Sequence, residues 1–205
     1  MKNFLGYFIY FIIFGSSVVM AIEEAAYTSI LNDEIFEIRE YESHVLAEIE
    51  IDGSFEGAGG KAFSKLFRYI SGENIPQKKI KMTAPVSQSY KGENINMTSP
   101  VSQEEKNGKW LVSFMMPSSY SFEQLPEPKD SDIQLRQVPS SFIASVRYSG
   151  FWSKKKYRDY LDLLNKWISG RQLKAIGTPI WARYDAPYVP WFLRRNEILI
   201  PINQP

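Results

Sequence analysis

The sequence predicts an α+β domain: a pseudo-two-fold antiparallel β structure with one helix in each half. Three observations predict it. FEIREYESHVLAEIEIDGSF at residues 36–55 lines up with IQLRQVPSSFIASVRYSGFW at residues 133–152, an offset of 97. The match continues at an offset of 98, Tyr69-Ile-Ser-Gly against Trp167-Ile-Ser-Gly; after a further shift, Pro85 in MTAPV meets Pro179 in IGTPI. Within each copy the apolar period passes from 2 to 3.6, so the repeated unit reads strand, strand, helix, strand.

In chain order, Met1–Ala21 reads as a leader. Lys2 is its positive start, Phe4–Phe14 its apolar run, and Val19 and Ala21 fit the small-residue cleavage pattern. Cleavage would leave Ile22 first. The alternative is a retained anchor, since about 20 apolar residues span a bilayer. Either way residues 22–205 are expected as a single exported domain, periplasmic in a bacterium and otherwise secreted.

Phe36 and Ile38, then Val45, Ala47, Ile49 and Ile51, alternate as half-buried strands. Gly53–Gly60 reads as a loop. Phe63, Leu66, Phe67 and Ile70 lie at helical spacing, with Gly72 as the stop and Lys61, Lys65 and Arg68 near the opposite face. MTAPVSQ at 82–88 returns as MTSPVSQ at 97–103 around SYKGENIN, which predicts a hairpin or two adjacent edges. Proline cannot donate to a ladder, so Pro85 and Pro100 are expected at strand edges or bulges.

Lys109–Met116 alternates again, and Pro117–Asp132 is a connection. Ile133–Val138 and Phe142–Tyr148 are the next strands. The second helix is expected from Ser153 to Ile168, with Tyr157, Tyr160, Leu161, Leu164 and Trp167 on its apolar face. The last strands are Pro179–Tyr184 and Asn196–Ile202, joined by APYVPWFL at 186–193.

The composition narrows the chemistry. With no cysteine there is no disulfide, thiolate metal site or cysteine nucleophile. The single histidine, His44, rules out poly-histidine metal centres, and no G-x-S-x-G elbow accompanies it. GAGGK at 57–61 lacks the spacing of a phosphate loop, because Phe55 stands where the first glycine belongs. A formal charge of +1 gives no field for nucleic acid or a membrane surface, so membrane contact is expected only through a retained leader. An aromatic content of 15% is enough to line a pocket as well as fill a core.

KIKMTAPV at 79–86, with FEIREY at 36–41, MMPSSY at 115–120 and FLRRNEILIPI at 192–202, resembles the signature of the SOUL/haem-binding-protein family. The resemblance runs from Tyr27 to the C-terminus. It implies a distorted β-barrel or curved sheet flanked by two helices, and non-covalent binding of haem or another tetrapyrrole, there being no CxxCH for attachment. Some members place a histidine directly after the arginine of the first strand as an axial ligand. Here that position is Glu40, and His44, four residues on, is the candidate ligand.

Other members are thought to hold haem in a hydrophobic groove. On that pattern Phe63 and Phe67 would contact the porphyrin, Lys61, Lys65 or Arg68 would pair with propionates, and Tyr188, Trp191 and Phe192 would form an apolar lip. Plain core packing of Phe63 and Phe67 stands beside that reading. A monomer is expected. Similar two-fold modules in gyrase-inhibitor-like proteins suggest an alternative, hydrolysis of apolar small molecules by Glu48 or Glu50 with Tyr148 or Tyr184. A third is a module for another hydrophobic ligand or a protein partner.

Overall fold

Alternating strands bury one side, and a helix must cover that side; here two helices share the task. The computed structural model describes residues 22–77 and 92–205. The leader and the first MTAPVSQ copy with Pro85 therefore lie outside the described residues. Nine strands form one sheet: β1 (Tyr27–Asp33), β2 (Phe36–Tyr41), β3 (His44–Ile51), β4 (Val101–Lys106), β5 (Lys109–Met115), β6 (Ile133–Val138), β7 (Ser141–Tyr148), β8 (Ile180–Arg183) and β9 (Asn196–Ile202). Helix α1 spans Phe55–Ile70 and α2 spans Lys154–Gly170. Among the described residues no helix is long and apolar enough to cross a membrane.

The strand order is β6-β3-β5-β4-β8-β9-β7-β2-β1, with every neighbouring pair antiparallel. The sheet has two free edges, so it is open and not a closed barrel. Exchange β2 with β6, β3 with β7, β4 with β8 and β5 with β9, and the order of those eight strands reads the same backwards. The centre of this symmetry falls between β4 and β8, where Gln103 pairs with Trp181. Only β1 stands outside the scheme, and its mostly exposed side chains give it no apolar alternation to read.

Both helices lie on one face. Ala62, Leu66 and Tyr69 of α1 pack on Val45, Ala47, Ile49, Val112 and Phe114. Leu164 and Ile168 of α2 pack on Ile38, Val146, Trp181, Ile198 and Ile200. The other face carries a smaller cluster of Tyr41, Ile143, Ala182 and Leu199.

Two expectations change. The glycine stretch is not a loop: α1 begins at Phe55, because Ser54 caps it by accepting from the Gly57 amide at 3.1 Å. Phe55 is thereby seated against Trp181, with ring centroids 4.7 Å apart. Pro100 is not at the edge of the sheet either. It precedes β4, an interior strand, where the missing N–H falls ahead of the ladder.

Candidate functional site

Helical geometry sorts the residues of α1. At about 100° per residue, Gly59, Phe63 and Phe67 share one flank and Lys61, Lys65 and Arg68 the other, with Ala62, Leu66 and Tyr69 buried between. The two flanks meet different surroundings. Lys65 reaches Asp132 at 2.5 Å and Asp130 at 3.1 Å, and Arg68 reaches Glu73 at 3.3 Å. The aromatic flank stays open: Phe63 and Phe67 are 38% and 48% exposed and stack at 5.8 Å, with Phe63 set against Phe114. The predicted rings are therefore together, while the predicted cations lie across the helix from them.

The lip residues form their own cluster. Trp191 stacks on Phe151 at 5.1 Å and meets Phe192 edge-on at 5.5 Å, while Tyr188 is 88% exposed. Arg194 holds this loop by donating to the carbonyls of Val189 (2.8 Å) and Pro187 (2.5 Å). Among the described residues no ring contact joins this cluster to Phe63 or Phe67.

Arg183, at the end of β8, lies near both α1 and Trp152. Its guanidinium lies against α1 at Gly59, where an added Cβ would stand 2.9 Å from one terminal nitrogen. On the other side it lies 5.5 Å from the centre of the Trp152 ring, which Arg194 covers at 4.6 Å. It also sits over Trp181 at 4.8 Å and donates to Gln103 at 3.2 Å. Among the described residues no carboxylate pairs with it.

Burial pushes the Arg183 pKa down to about 10, with the Tyr148 hydroxyl acting the other way. The group is therefore a cation at neutral pH with an unmet need for a negative partner. Arg183 Nε, the Tyr148 hydroxyl and the Trp181 indole N–H are all buried, and none completes a hydrogen bond among the described residues. Nothing in the sequence reading singled out Arg183. Its signal was parity: it falls two residues after Trp181, on a face otherwise apolar.

The far face holds a concavity. A cleft of about 420 Å³ is lined by Tyr41, Leu46, Leu111, Met115, Ile143 and Leu199, with His44, Glu104 and Arg136 among its polar groups. His44 accordingly faces away from α1. Its Nδ1 lies 2.9 Å from the Glu42 carbonyl, and burial holds the imidazole below its usual pKa against that hydrogen bond. Glu48 is on this face too, held by Arg136 Nε at 2.9 Å. Of the tyrosines considered for a hydrolase, Tyr148 packs beneath α2 on the helix side and Tyr184 donates to Glu197 at 2.9 Å. The sheet thus separates Glu48 from Tyr148. Among the described residues no three His, Asp or Glu gather to hold a metal ion.

Apolar walls bearing a few fixed polar groups are the make-up of a small-molecule site, and the far-face cleft has that make-up. The chain belongs to the SOUL heme-binding protein family, whose model matches residues 22–201. It is 27% identical over 165 residues to heme-binding protein 1 of Xenopus tropicalis, covering 80% of this chain and 81% of that one. It is 29% identical over 179 residues to human heme-binding protein 2, covering 83% and 80%. Among solved structures, a hydrolase from Listeria innocua superposes with a TM-score of 0.56 at 12% identity, covering 85% of this chain and 94% of the other. The EcmrR C-terminal domain superposes with 0.54 at 13%, covering 87% and 99%. At such identities the likeness is one of fold.

Proposed function

We propose that this protein binds haem, or a related tetrapyrrole, non-covalently in the groove between the aromatic flank of α1 and the loop at residues 186–194. The observation that carries the reading is Arg183, a largely buried cation that no carboxylate pairs among the described residues, set near Gly59 and Trp152. A tetrapyrrole with propionates offers an apolar disc and anionic tails. Phe63 and Phe67 would take the disc on one side and Trp191, Phe192 and Tyr188 on the other. Arg183 would receive a propionate through a charge-assisted hydrogen bond, and Lys61 stands exposed beyond the buried stripe. Lys65 and Arg68 would first have to release the carboxylates they hold. Bound haem would supply Arg183 with a negative partner. The names of the vertebrate relatives support haem as the ligand.

His44 lies on the other face, so this mode uses no axial histidine from it. The apolar run after Lys2 supports an exported setting, and the palindromic strand order supports reading the two halves as copies of one unit. Titration of the protein with haem, followed at the Soret band, tests the proposal. A saturable one-to-one shift is expected, unchanged in His44→Ala and weakened about tenfold in Arg183→Gln, equivalent to ~1.4 kcal/mol. Loss of the shift in His44→Ala, or no saturable shift at all, would sink it.

A further inference from the structure

We infer that the cleft on the helix-free face is a second binding site, made for a small apolar amine carrying one positive charge. This goes beyond haem binding and does not rest on it. The cleft volume, about 420 Å³, lies within the usual range for small-molecule sites. Its walls are aliphatic and aromatic, from Tyr41, Leu46, Leu111, Ile143 and Leu199.

The charges inside decide the sign of the ligand. Arg136 is already committed, its Nε 2.9 Å from both Glu48 oxygens and a terminal nitrogen at 2.8 Å. Lys106 is exposed, where solvent screens it. Glu104 is different. It is partly buried on the interior strand β4, with Leu111 and Ile180 opposite it in register on either side.

Among the described residues no side chain or backbone group hydrogen-bonds the Glu104 carboxylate. Burial raises its carboxyl pKa, reinforced by Glu48 and partly offset by Arg136 and Lys106. Arg136 and Glu48 cancel each other and Lys106 is exposed, so the one partly buried charge of the lining without a hydrogen-bonded partner among the described residues is the Glu104 carboxylate. An apolar wall ending in an unpaired carboxylate favours an ammonium over a neutral or anionic tail. An extra carboxylate on the ligand would meet Glu48 and Glu104 as like charges.

Calorimetric titration of the full-length protein with dansylcadaverine, a fluorescent primary amine, tests the inference against its neutral N-acetyl derivative. One-to-one binding of the amine is expected, with the acetylated form at least tenfold weaker. Glu104→Gln should bring the amine down to the affinity of the neutral form, and Ser102→Trp, which fills the cleft floor, should abolish binding. Prior saturation with haem should leave amine binding unchanged, since the groove beside α1 is on the other side of the sheet. Equal affinity for the two forms, no binding, or indifference to Glu104→Gln would each overturn it, whereas displacement of the amine by haem would overturn the groove reading of haem binding. The charged and neutral amines, compared on the native protein, decide the question even if a variant fails to fold. Failure of haem to bind would leave the amine result standing.

Discussion

The two halves of the sheet start from the same residue and end in opposite states. Arg39 on β2 and Arg136 on β6 occupy equivalent positions, 97 residues apart. Arg39 finds its carboxylate two strands away: Glu197 on β9 takes it at 2.6 and 3.1 Å, and the pair is 3% and 0% exposed. Arg195 at 2.9 Å and the Tyr184 hydroxyl at 2.9 Å complete the shell of Glu197, and Tyr41 and Glu37 complete that of Arg39. That half of the face is a polar plug.

Register places Leu111 on β5 where Glu197 stands on β9, so Arg136 turns instead to Glu48 on the adjacent strand. It remains 46% exposed, and the cleft opens beside it. The strand that supplies the carboxylate decides whether the same scaffold is sealed or receptive.

Breaking the plug should have the largest effect. Glu197→Gln removes the buried anion of Arg39, leaving it Glu37, and leaves Arg195 with Glu24, and chemical denaturation should show a loss of about 3 kcal/mol. Burial alone would raise the Glu197 carboxyl, but the Arg39 hydrogen bond and charge, with Arg195, hold it below the usual range. Its contribution is therefore complete above the unfolded value of about 4.3 and is lost as pH falls through the folded one. A thermal melt series from pH 7 to 3 should show the variant losing its deficit in that acid window.

Glu48→Gln sharpens the contrast. Its partner can turn to water, so the loss should be about 1 kcal/mol. Gly59→Ala should bring stability close to neutral, because alanine favours the helix by ~1 kcal/mol while its methyl pushes on Arg183. The expected result is a roughly tenfold weaker haem titration, as for Arg183→Gln. The smallest effect is Glu104→Gln. Its folded pKa is raised, so its charge costs stability at neutral pH and costs nothing below the unfolded pKa. A gain in Tm of roughly 1–2 °C at pH 7 is expected, vanishing below pH ~4.

What was legible in the chain was local. Ile133–Val138 and Asn196–Ile202 were readable to the residue, because a short apolar run between turn residues is a property of neighbours. Ser153 signalled the start of α2 in the same way, its hydroxyl accepting from the Lys156 amide at 3.3 Å. The aromatic flank of α1 was also legible, Phe63 and Phe67 being four residues apart.

The rest depends on strands that meet only in space. The Arg39–Glu197 pair joins residues 158 positions apart, and Arg183 becomes a site residue only because Gly59 and Trp152 come to lie on either side of it. The glycines misled for a related reason. They read as a loop by type, whereas Gly59 sits inside a helix so that a guanidinium can approach its backbone.

The palindromic order carries a consequence for assembly of the chain. Strand β2 does not complete the sheet of its own half; it pairs with β7, and β6 pairs with β3. Each half lends its first strand to the other, so the two are interlocked rather than abutted. Cutting the connection between β5 and β6 would yield two fragments that each lack an edge strand and carry a surplus one, able to fold only by finding one another. Pairings such as β2 with β7 close long loops before they bring any reward, so this architecture commits the protein to slow, late-closing folding despite its two helices.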